Sequence, residues 1–498
     1  MSAAIPSPAG ATRAAALRDH ALGAWWPLAG LVVLAAALRF STLGLQSLWY
    51  DEAFTPVHTL HPSLTATLSA VAHTENSPPL WYLLEWAVSR VFGTGAIALR
   101  SLSAFAGVAS VVVGWGIGRE LAGRRAAFAT AALIAVNPLF VWYSQEARVY
   151  ALFVLTAELA ILFFLRALRE PTPGRLTAFA VSGALALLTH YFAVFLLVPM
   201  CLWLVLEHRA HKRMTLGAVA AVGAVGVALL PLISAQGGRG TQWIGRWPLG
   251  ERLEAIPQYY LTGESGAPLG HGVELLIALP VLGGLFFGLW RGLTRLEERQ
   301  ALIMLVLSAC GVLIPVALVI FGLDYLAPRN LVAAMIPLTA LLALVIAAQR
   351  TGRMGVALAG VIALAFLAMS VDVNLSPRLQ RGDWRGVAKV LRGTPANDRV
   401  ITTVELGAAP LEYYLPPLHN LARGGAVTVS EIDETGYAPL RASAGSPPAR
   451  PEWLIMRTRF ACFTSSRAVD LPSGPVPKIT CSSSDIFHLC LYFYDPGF

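Results

Sequence analysis

Leu48-Trp49-Tyr50-Asp51-Glu52-Ala53-Phe54 follows closely on the first long apolar stretch of the chain, residues 21–40. Two adjacent carboxylates at the edge of a membrane span are costly unless they face water, a cation or a reacting group. Trp49, Tyr50 and Phe54 surround them with the aromatic residues that concentrate at the headgroup level. A solvated loop carrying two ordinary acids is the bland reading of this heptapeptide. It is outweighed because other segments read to the same side of the membrane carry further acids, arginines, histidines and tyrosines.

The 498 residues are 56% hydrophobic and 13% charged, against a charged fraction of about 25% in soluble domains. The fold class is therefore a polytopic α-helical membrane protein. The net charge of +8 does not point to nucleic acid, because most basic residues of the apolar half fall in short gaps between spans, where topology requires them. Residues 1–20, with Arg13 and Arg18, read as a cytoplasmic tail ahead of a retained signal-anchor. Cys201 and Cys310 lie in apolar stretches. Cys462, Cys481 and Cys490 lie near the C-terminus, and sequence does not choose a disulfide among them.

About eleven stretches reach the roughly 20 residues of a span, near 21–40, 98–118, 126–143, 148–166, 175–189, 191–207, 214–235, 271–291, 300–322, 331–348 and 354–371. Every even gap is short and basic: Arg119, Arg124 and Arg125; Arg166, Arg169 and Arg175; Arg209, Lys212 and Arg213; Arg291, Arg295 and Arg299; Arg350 and Arg353. The positive-inside rule then places the N-terminus in the cytoplasm, and the odd gaps and everything after about residue 372 outside it. A multi-pass protein of the cell (inner) membrane is expected.

The outer face receives residues 41–97, the turn Tyr143-Ser144-Gln145-Glu146-Ala147-Arg148, a glycine-rich loop over 236–270, and Asp324-Tyr325-Leu326-Ala327-Pro328-Arg329-Asn330. Within the first, Pro78-Pro79-Leu80-Trp81-Tyr82 reads as the start of an amphipathic surface helix. Beyond 372 the composition turns soluble. Helical patterns at Asp383–Leu391 and Leu406–Tyr414, and strand patterns at Arg399–Val404, Trp453–Met456 and Leu489–Tyr494, suggest an extracytoplasmic α/β domain over 372–498.

The sharply placed polar groups gather on this face: Asp51, Glu52, Glu75 and Glu146; Arg148 and Arg329; His58 and His190; Tyr50, Tyr82, Tyr143, Tyr150 and Tyr191. A transporter is expected to hold its ionisable groups near the midplane. An interfacial cluster suits an enzyme acting between a lipid and an extracytoplasmic acceptor. A carboxylate can take the proton of an acceptor hydroxyl, and a leaving phosphate is stabilised by Arg, His or a metal. Each group also has a structural reading: Glu146 and Arg148 as an interfacial pair, His190 as a hydrogen-bonded residue at a helix break, Arg329 as a snorkelling anchor, Glu75 as a cap-region acid. No cofactor is required by the sequence. A divalent metal stays open, with Asp51, Glu52 and Glu146 as candidate ligands.

The Asp-Glu pair after the first span, the Pro-Pro-Leu-Trp-Tyr helix and the Tyr-Ser-Gln-Glu-Ala-Arg-Val-Tyr turn, in that order, resemble the GT-C-fold membrane glycosyltransferases. The resemblance is to the family 39-like bacterial enzymes, relatives of protein O-mannosyltransferases and lipid A aminoarabinose transferases, over 21 to about 350. It implies an inverting transferase that moves a sugar from a polyprenyl-phosphate donor to an extracytoplasmic hydroxyl on lipid, glycan or protein, with residues 21–371 as the catalytic domain. It implies Asp51 as base with Glu52 beside it, and Glu146 and Arg148 near donor or metal. Tyr150, His190, Tyr191 and Arg329 fall on the donor-phosphate side, and Tyr50, His58, Glu75 and Tyr82 on the acceptor side. Many relatives have His or Lys directly before the Pro-Pro pair. This chain has Glu75-Asn76-Ser77, so acceptor and metal preference do not carry over there. A transporter or flippase of a lipid-linked sugar is the alternative.

Overall fold

The first loop is helical for most of its length. Helix α1 (Trp25–Phe40) ends shortly before it. Then α2 (Tyr50–Phe54) runs into a π turn (Thr55–Thr59), followed by α3 (Leu64–Thr74) and α4 (Leu80–Phe92). The structure, a computed structural model, describes residues 25–237 and 242–392 and the segments 399–404, 408–415, 427–432, 452–458, 480–481 and 488–494. The tail read at 1–20 lies outside the described residues.

α4 begins directly after Pro79 and stops at Gly93, whose φ of 80° is the left-handed conformation that closes a helix with no Cβ penalty. Trp81, Tyr82, Glu85 and Ser89 form its buried face, spaced as one helical stripe. The amphipathic helix expected from Pro78-Pro79 is present.

Helix α5 (Ala96–Val136) is two limbs joined at Ala122 and Gly123. Gly114 lies against Ile134 and Thr130, and Gly118 lies against Ala126 and Ala127. In a straight helix residues 114 and 134 would be about 30 Å apart, so the limbs fold back on each other. A Cβ on Gly118 would meet the Ala126 carbonyl; the hairpin closes tightly because Gly leaves that space empty. Gly123 makes the reversal at φ 77°. The expected spans at 98–118 and 126–143 correspond to these limbs and to the short helix α6 (Pro138–Ser144), started by the Asn137 side chain accepting from Leu139 N. α7 (Tyr150–Arg169) follows and is buried along most of its length. α8 (Pro173–Thr189) and α9 (Val194–Glu207) are separated at His190.

Seven described helices are long and apolar enough to cross a membrane, α5 among them, with α1 and the stretch Tyr191–Glu207 as shorter apolar helices. The later ones are Arg209–Gln236, His271–Arg291, Arg295–Ile320, Pro328–Ile346 and Gln349–Leu375. The segment 236–270 is not the loop its glycines suggest: outside 238–241, which are not described, it holds helices Gln242–Arg246 and Leu249–Thr262 and a 3-10 stretch Glu264–Leu269. Glycines at its margins mask an amphipathic helix between them.

Past the last span, helices Trp384–Arg392 and Ala408–Tyr414 coincide with the helical patterns read there. Strands β1 (Arg399–Val404), β2 (Val427–Ile432), β3 (Glu452–Thr458), β4 (Thr480–Cys481) and β5 (His488–Tyr494) pair in the order β2-β1-β3-β5-β4. β1 is parallel to both neighbours, and β5 antiparallel to both of its own. The register sets Cys481 opposite Cys490. Cys462 and most of 416–498 lie outside the described residues.

Candidate active site

Asp51 and Glu52 are consecutive residues of α2, about 100° apart around its axis, and so face different surroundings. Glu52 is completely buried. Its Oε1 accepts from Arg100 Nε at 2.7 Å and from Ala147 N at 2.9 Å, and its Oε2 from Arg100 Nη2 at 2.6 Å. Arg100, at the start of α5, also donates to the carbonyls of Leu43, Gln46 and Ser47. Burial works against the charge on Glu52, but the guanidiniums of Arg100 and Arg381 and the Ala147 amide hold its pKa below the usual carboxylate value. This fork fixes the first loop to α5 and to the turn carrying Glu146. Removing one member of such a buried pair costs about 3–5 kcal/mol.

Asp51 faces the other way, with 14% of its side chain exposed. Its Oδ2 accepts from Arg329 Nη1 at 2.7 Å, and its main-chain carbonyl accepts from Arg148 Nη1 at 3.3 Å. Arg148 Nη1 lies 3.3 Å from Glu75 Oε2. Glu75 in turn accepts from Tyr82 OH at 2.7 Å and from Thr59 Oγ1 at 2.8 Å. Thus Glu75, Tyr82 and Arg148 form one linked set behind Asp51.

Glu146 lies in the turn between α6 and α7 and is 1% exposed. Its Oε2 accepts from Arg381 Nη2 at 2.7 Å, while Oε1 is buried without a protein partner. Burial raises its pKa to about 8; Arg381 opposes the rise, and Glu264, Glu52 and Asp51 add to it. Arg381 comes from the segment after the last span. Its guanidinium stacks 4.2 Å from the Trp142 ring centre and 6.0 Å from that of Trp49, and Arg329 lies 5.9 Å from the same Trp49 ring. Trp49 is therefore the shared wall between the Asp51–Arg329 pair and the Glu146–Arg381 pair.

His190 stacks on Phe153 with ring centres 4.6 Å apart and accepts from Phe192 N at its Nδ1, 3.2 Å away. Burial, with Arg148 and Arg329 nearby, drives its pKa down to about 3, so it is a neutral imidazole at the edge of the cluster. Tyr150 is buried, its ring 4.8 Å from Tyr143 and 6.3 Å from His190. Tyr143 OH donates to Glu264.

Three more expected residues have partners beyond those groups. Tyr191 donates to Gln236, whose amide holds the carbonyls of Val71 and Ser77, so it fastens α3 and the stretch leading into α4. His58 meets Glu412 at 3.4 Å. Tyr50 packs toward Phe54. The candidate metal ligands Asp51, Glu52 and Glu146 are each matched to an arginine. Among the described residues no group of three His, Cys, Asp or Glu is placed to hold a metal ion.

Sequence reading missed Arg100, Arg381, Arg252 and Glu264. Arg252 holds Asp324 through a two-point pair at 2.6 and 2.9 Å and also donates to the Leu326 carbonyl, which pins the loop leading to Arg329. The hydrogen bond from Arg252 keeps the Asp324 pKa low. A signal for Arg381 existed: like Arg329, it is an arginine in a segment that the alternation of basic gaps reads to the side where the charge bias expects few.

Buried polar atoms without protein partners collect in this region: Arg148 Nε, Glu146 Oε1, Trp49 Nε1 and Trp142 Nε1. Each costs about 1–3 kcal/mol if left unsatisfied, and native proteins leave few such groups. Three donors and one carboxyl oxygen suit a ligand with both acceptor and hydroxyl groups.

Residues 76–234 match the family described as "Dolichyl-phosphate-mannose-protein mannosyltransferase". The structure is similar to that of ArnT from Cupriavidus metallidurans bound to undecaprenyl phosphate: TM-score 0.52, 14% identity, 93% of this chain and 97% of that chain covered. The apo form of the same protein gives TM-score 0.54 and 14% identity, covering 95% and 98%. No curated protein matches the sequence. The resemblance to the GT-C-fold membrane glycosyltransferases is thereby shown, and the chain is a multi-pass membrane protein with that fold.

Proposed function

We propose that the chain transfers a sugar from a polyprenyl-phosphate donor to an extracytoplasmic hydroxyl on lipid, glycan or protein, with inversion. The observation that carries the reading is Asp51: a partly open carboxylate paired with Arg329 and bordered by buried donors that lack protein partners. A solved structure of the same fold holds undecaprenyl phosphate, which supports the donor class. The basic even gaps support a cytoplasmic N-terminus, and hence a site and C-terminal domain on the outer side of the cell membrane.

In this mechanism Asp51 accepts the proton of the acceptor hydroxyl as that oxygen bonds to the anomeric carbon. The bond from that carbon to the phosphate oxygen breaks, and its electron pair leaves with polyprenyl phosphate. Arg329 and Arg148 stabilise the leaving phosphate. Attack opposite the leaving group inverts the centre. Before the donor binds, Arg329 neutralises Asp51; a donor phosphate competing for that guanidinium frees the carboxylate to act as base. Glu146 Oε1 supplies a hydrogen bond to the donor sugar or phosphate, and Glu52 positions Asp51.

One observation favours a second reading, movement of the intact lipid-linked sugar. Glu158, inside α7, is completely buried, with Ser110 and Arg39 as its polar neighbours; acids inside membrane spans mark transport paths. Purified protein in vesicles, given a panel of polyprenyl-phosphate sugars and membrane extract, separates the two. Acceptor-dependent release of polyprenyl phosphate that falls at least about 100-fold in Asp51→Asn supports transfer with Asp51 as base. Undiminished release in that variant removes Asp51 from the mechanism. No release, with the donor crossing the vesicle intact, leaves the transporter.

A further inference from the structure

Arg381 lies outside every motif that pointed to the site, yet it is buried to 7% side-chain exposure and bridges both glutamates. Its Nη2 reaches Glu146 Oε2 at 2.7 Å, and its Nη1 reaches Glu52 Oε2 and the Gln145 carbonyl, each at 3.4 Å. The planar group lies over Trp142, a geometry that arginine satisfies and lysine does not.

Its backbone is fixed as well. Arg381 N donates to Gln46 Oε1 at 3.1 Å, and Ser47 Oγ donates to Asp383 Oδ1 at 3.1 Å. Farther along, Tyr414 OH accepts from Leu48 N at 2.7 Å, and Tyr413 OH donates to the Thr94 carbonyl at 2.8 Å. The first three of these bonds dock the segment after the last span on residues 46–48, just before the base, and the fourth ties it to the end of the first loop.

We propose that Arg381 is a positioning residue of the transfer site. It holds one oxygen of Glu146, so that the buried, unpartnered Oε1 is presented to the donor. The inference rests on the transferase reading above and adds to it that the site is incomplete without the segment that follows the last span. Two independent observations carry it: the two-glutamate bridge, and the orphaned carboxyl oxygen on the group that the bridge holds.

The groups facing Glu146 are Arg381 from this segment, Asp51 and Glu52 from α2, Arg100 from α5, Tyr143 and Tyr150 from the flanking helices, and Glu264. Arg381 lowers the Glu146 pKa, so losing it raises that pKa. Ionised Glu146 repels an anionic donor, so donor KM climbs as pH rises through about 8, and without Arg381 the climb begins at higher pH.

The test uses the full-length protein and compares wild type, Arg381→Gln and Arg381→Lys. It measures kcat and donor KM against pH, and the titration of the Glu146 carboxyl by infrared difference spectroscopy, its band assigned by loss in Glu146→Gln. Arg381→Gln is expected to lower kcat/KM about 10- to 100-fold, the scale of a charge-assisted hydrogen bond, and to move both the KM limb and the Glu146 band to higher pH. Arg381→Lys is expected to restore the pH positions but only part of the rate. An unmoved limb and band in Arg381→Gln overturn the proposal whether or not the rate falls, since a merely structural role lowers rate alone. A wild type inactive with every donor, but with a band that moves in Arg381→Gln, sinks the transferase reading and upholds the hold on Glu146.

Discussion

Asp51 and Glu52 differ by one position in the chain and by nearly everything else. Glu52 has both oxygens bound by Arg100 and the Ala147 amide inside the protein. Asp51 is partly open and has its arginine on one oxygen. A short helix turned adjacent side chains toward opposite environments, one toward packing and one toward chemistry. Two acids of the same charge and nearly the same size thus take on separable roles, and substitution distinguishes them.

The largest expected effect is on Glu52. Glu52→Gln leaves Arg100 buried without its counter-charge and is expected to cost about 3–5 kcal/mol, read as a lower unfolding temperature in detergent. Replacing both partners by apolar residues of similar volume is expected to recover much of that loss. A Glu52→Gln protein as stable as wild type but inactive would dissolve the contrast and make both acids chemical.

Asp51→Asn sharpens the comparison from the other side. It is expected to leave stability near wild type and to lower kcat about 100-fold, which corresponds to about 2.7 kcal/mol of barrier. A destabilised Asp51→Asn with normal turnover per folded molecule would reverse the assignment.

Glu146 stands between the two, buried like Glu52 but with one oxygen unclaimed. Its pKa is raised to about 8, so the carboxyl is largely neutral at pH 7 and gains charge above 8. Donor KM is therefore expected to rise severalfold between pH 7 and 9, and this rise is expected to vanish in Glu146→Gln. The smallest effect is expected from Arg252→Ala. The loop leading to Arg329 would lose its two-point anchor, with kcat/KM falling about threefold to tenfold, the scale of one ordinary hydrogen bond, because the anchor acts on the site only through the loop. An unchanged kcat/KM would show that Arg329 is held by its own contacts.

Much of this is legible in the sequence. The odd gaps were read to one side of the membrane, and Asp51, Glu75, Arg148 and Arg329 do meet, across 278 residues in the case of Asp51 and Arg329. The α4 helix was legible from Pro78-Pro79 and its aromatic spacing. The division of labour between Asp51 and Glu52 was not, because it depends on the phase of a five-residue helix too short to show a period. Arg100 was read as part of a span and Arg381 as part of a soluble region; each is a long-range partner, and one sequence carries no trace of which distant acid an arginine will meet. The segment 236–270 was misread because its glycines outweighed the helical pattern between them.

The Glu52–Arg100 pair has a consequence in the living cell. Arg100 stands at the head of a span, and without Glu52 that span must be inserted with an unmatched charge under a loop it can no longer hold. Cells remove membrane proteins with loosened folds, and a loss of a few kcal/mol is enough to change abundance severalfold. A lesion at Glu52 should therefore leave little protein in the membrane, while one at Asp51 should leave a full complement of protein that does nothing, and a blot of membranes from the two strains would tell them apart before any assay of sugar transfer.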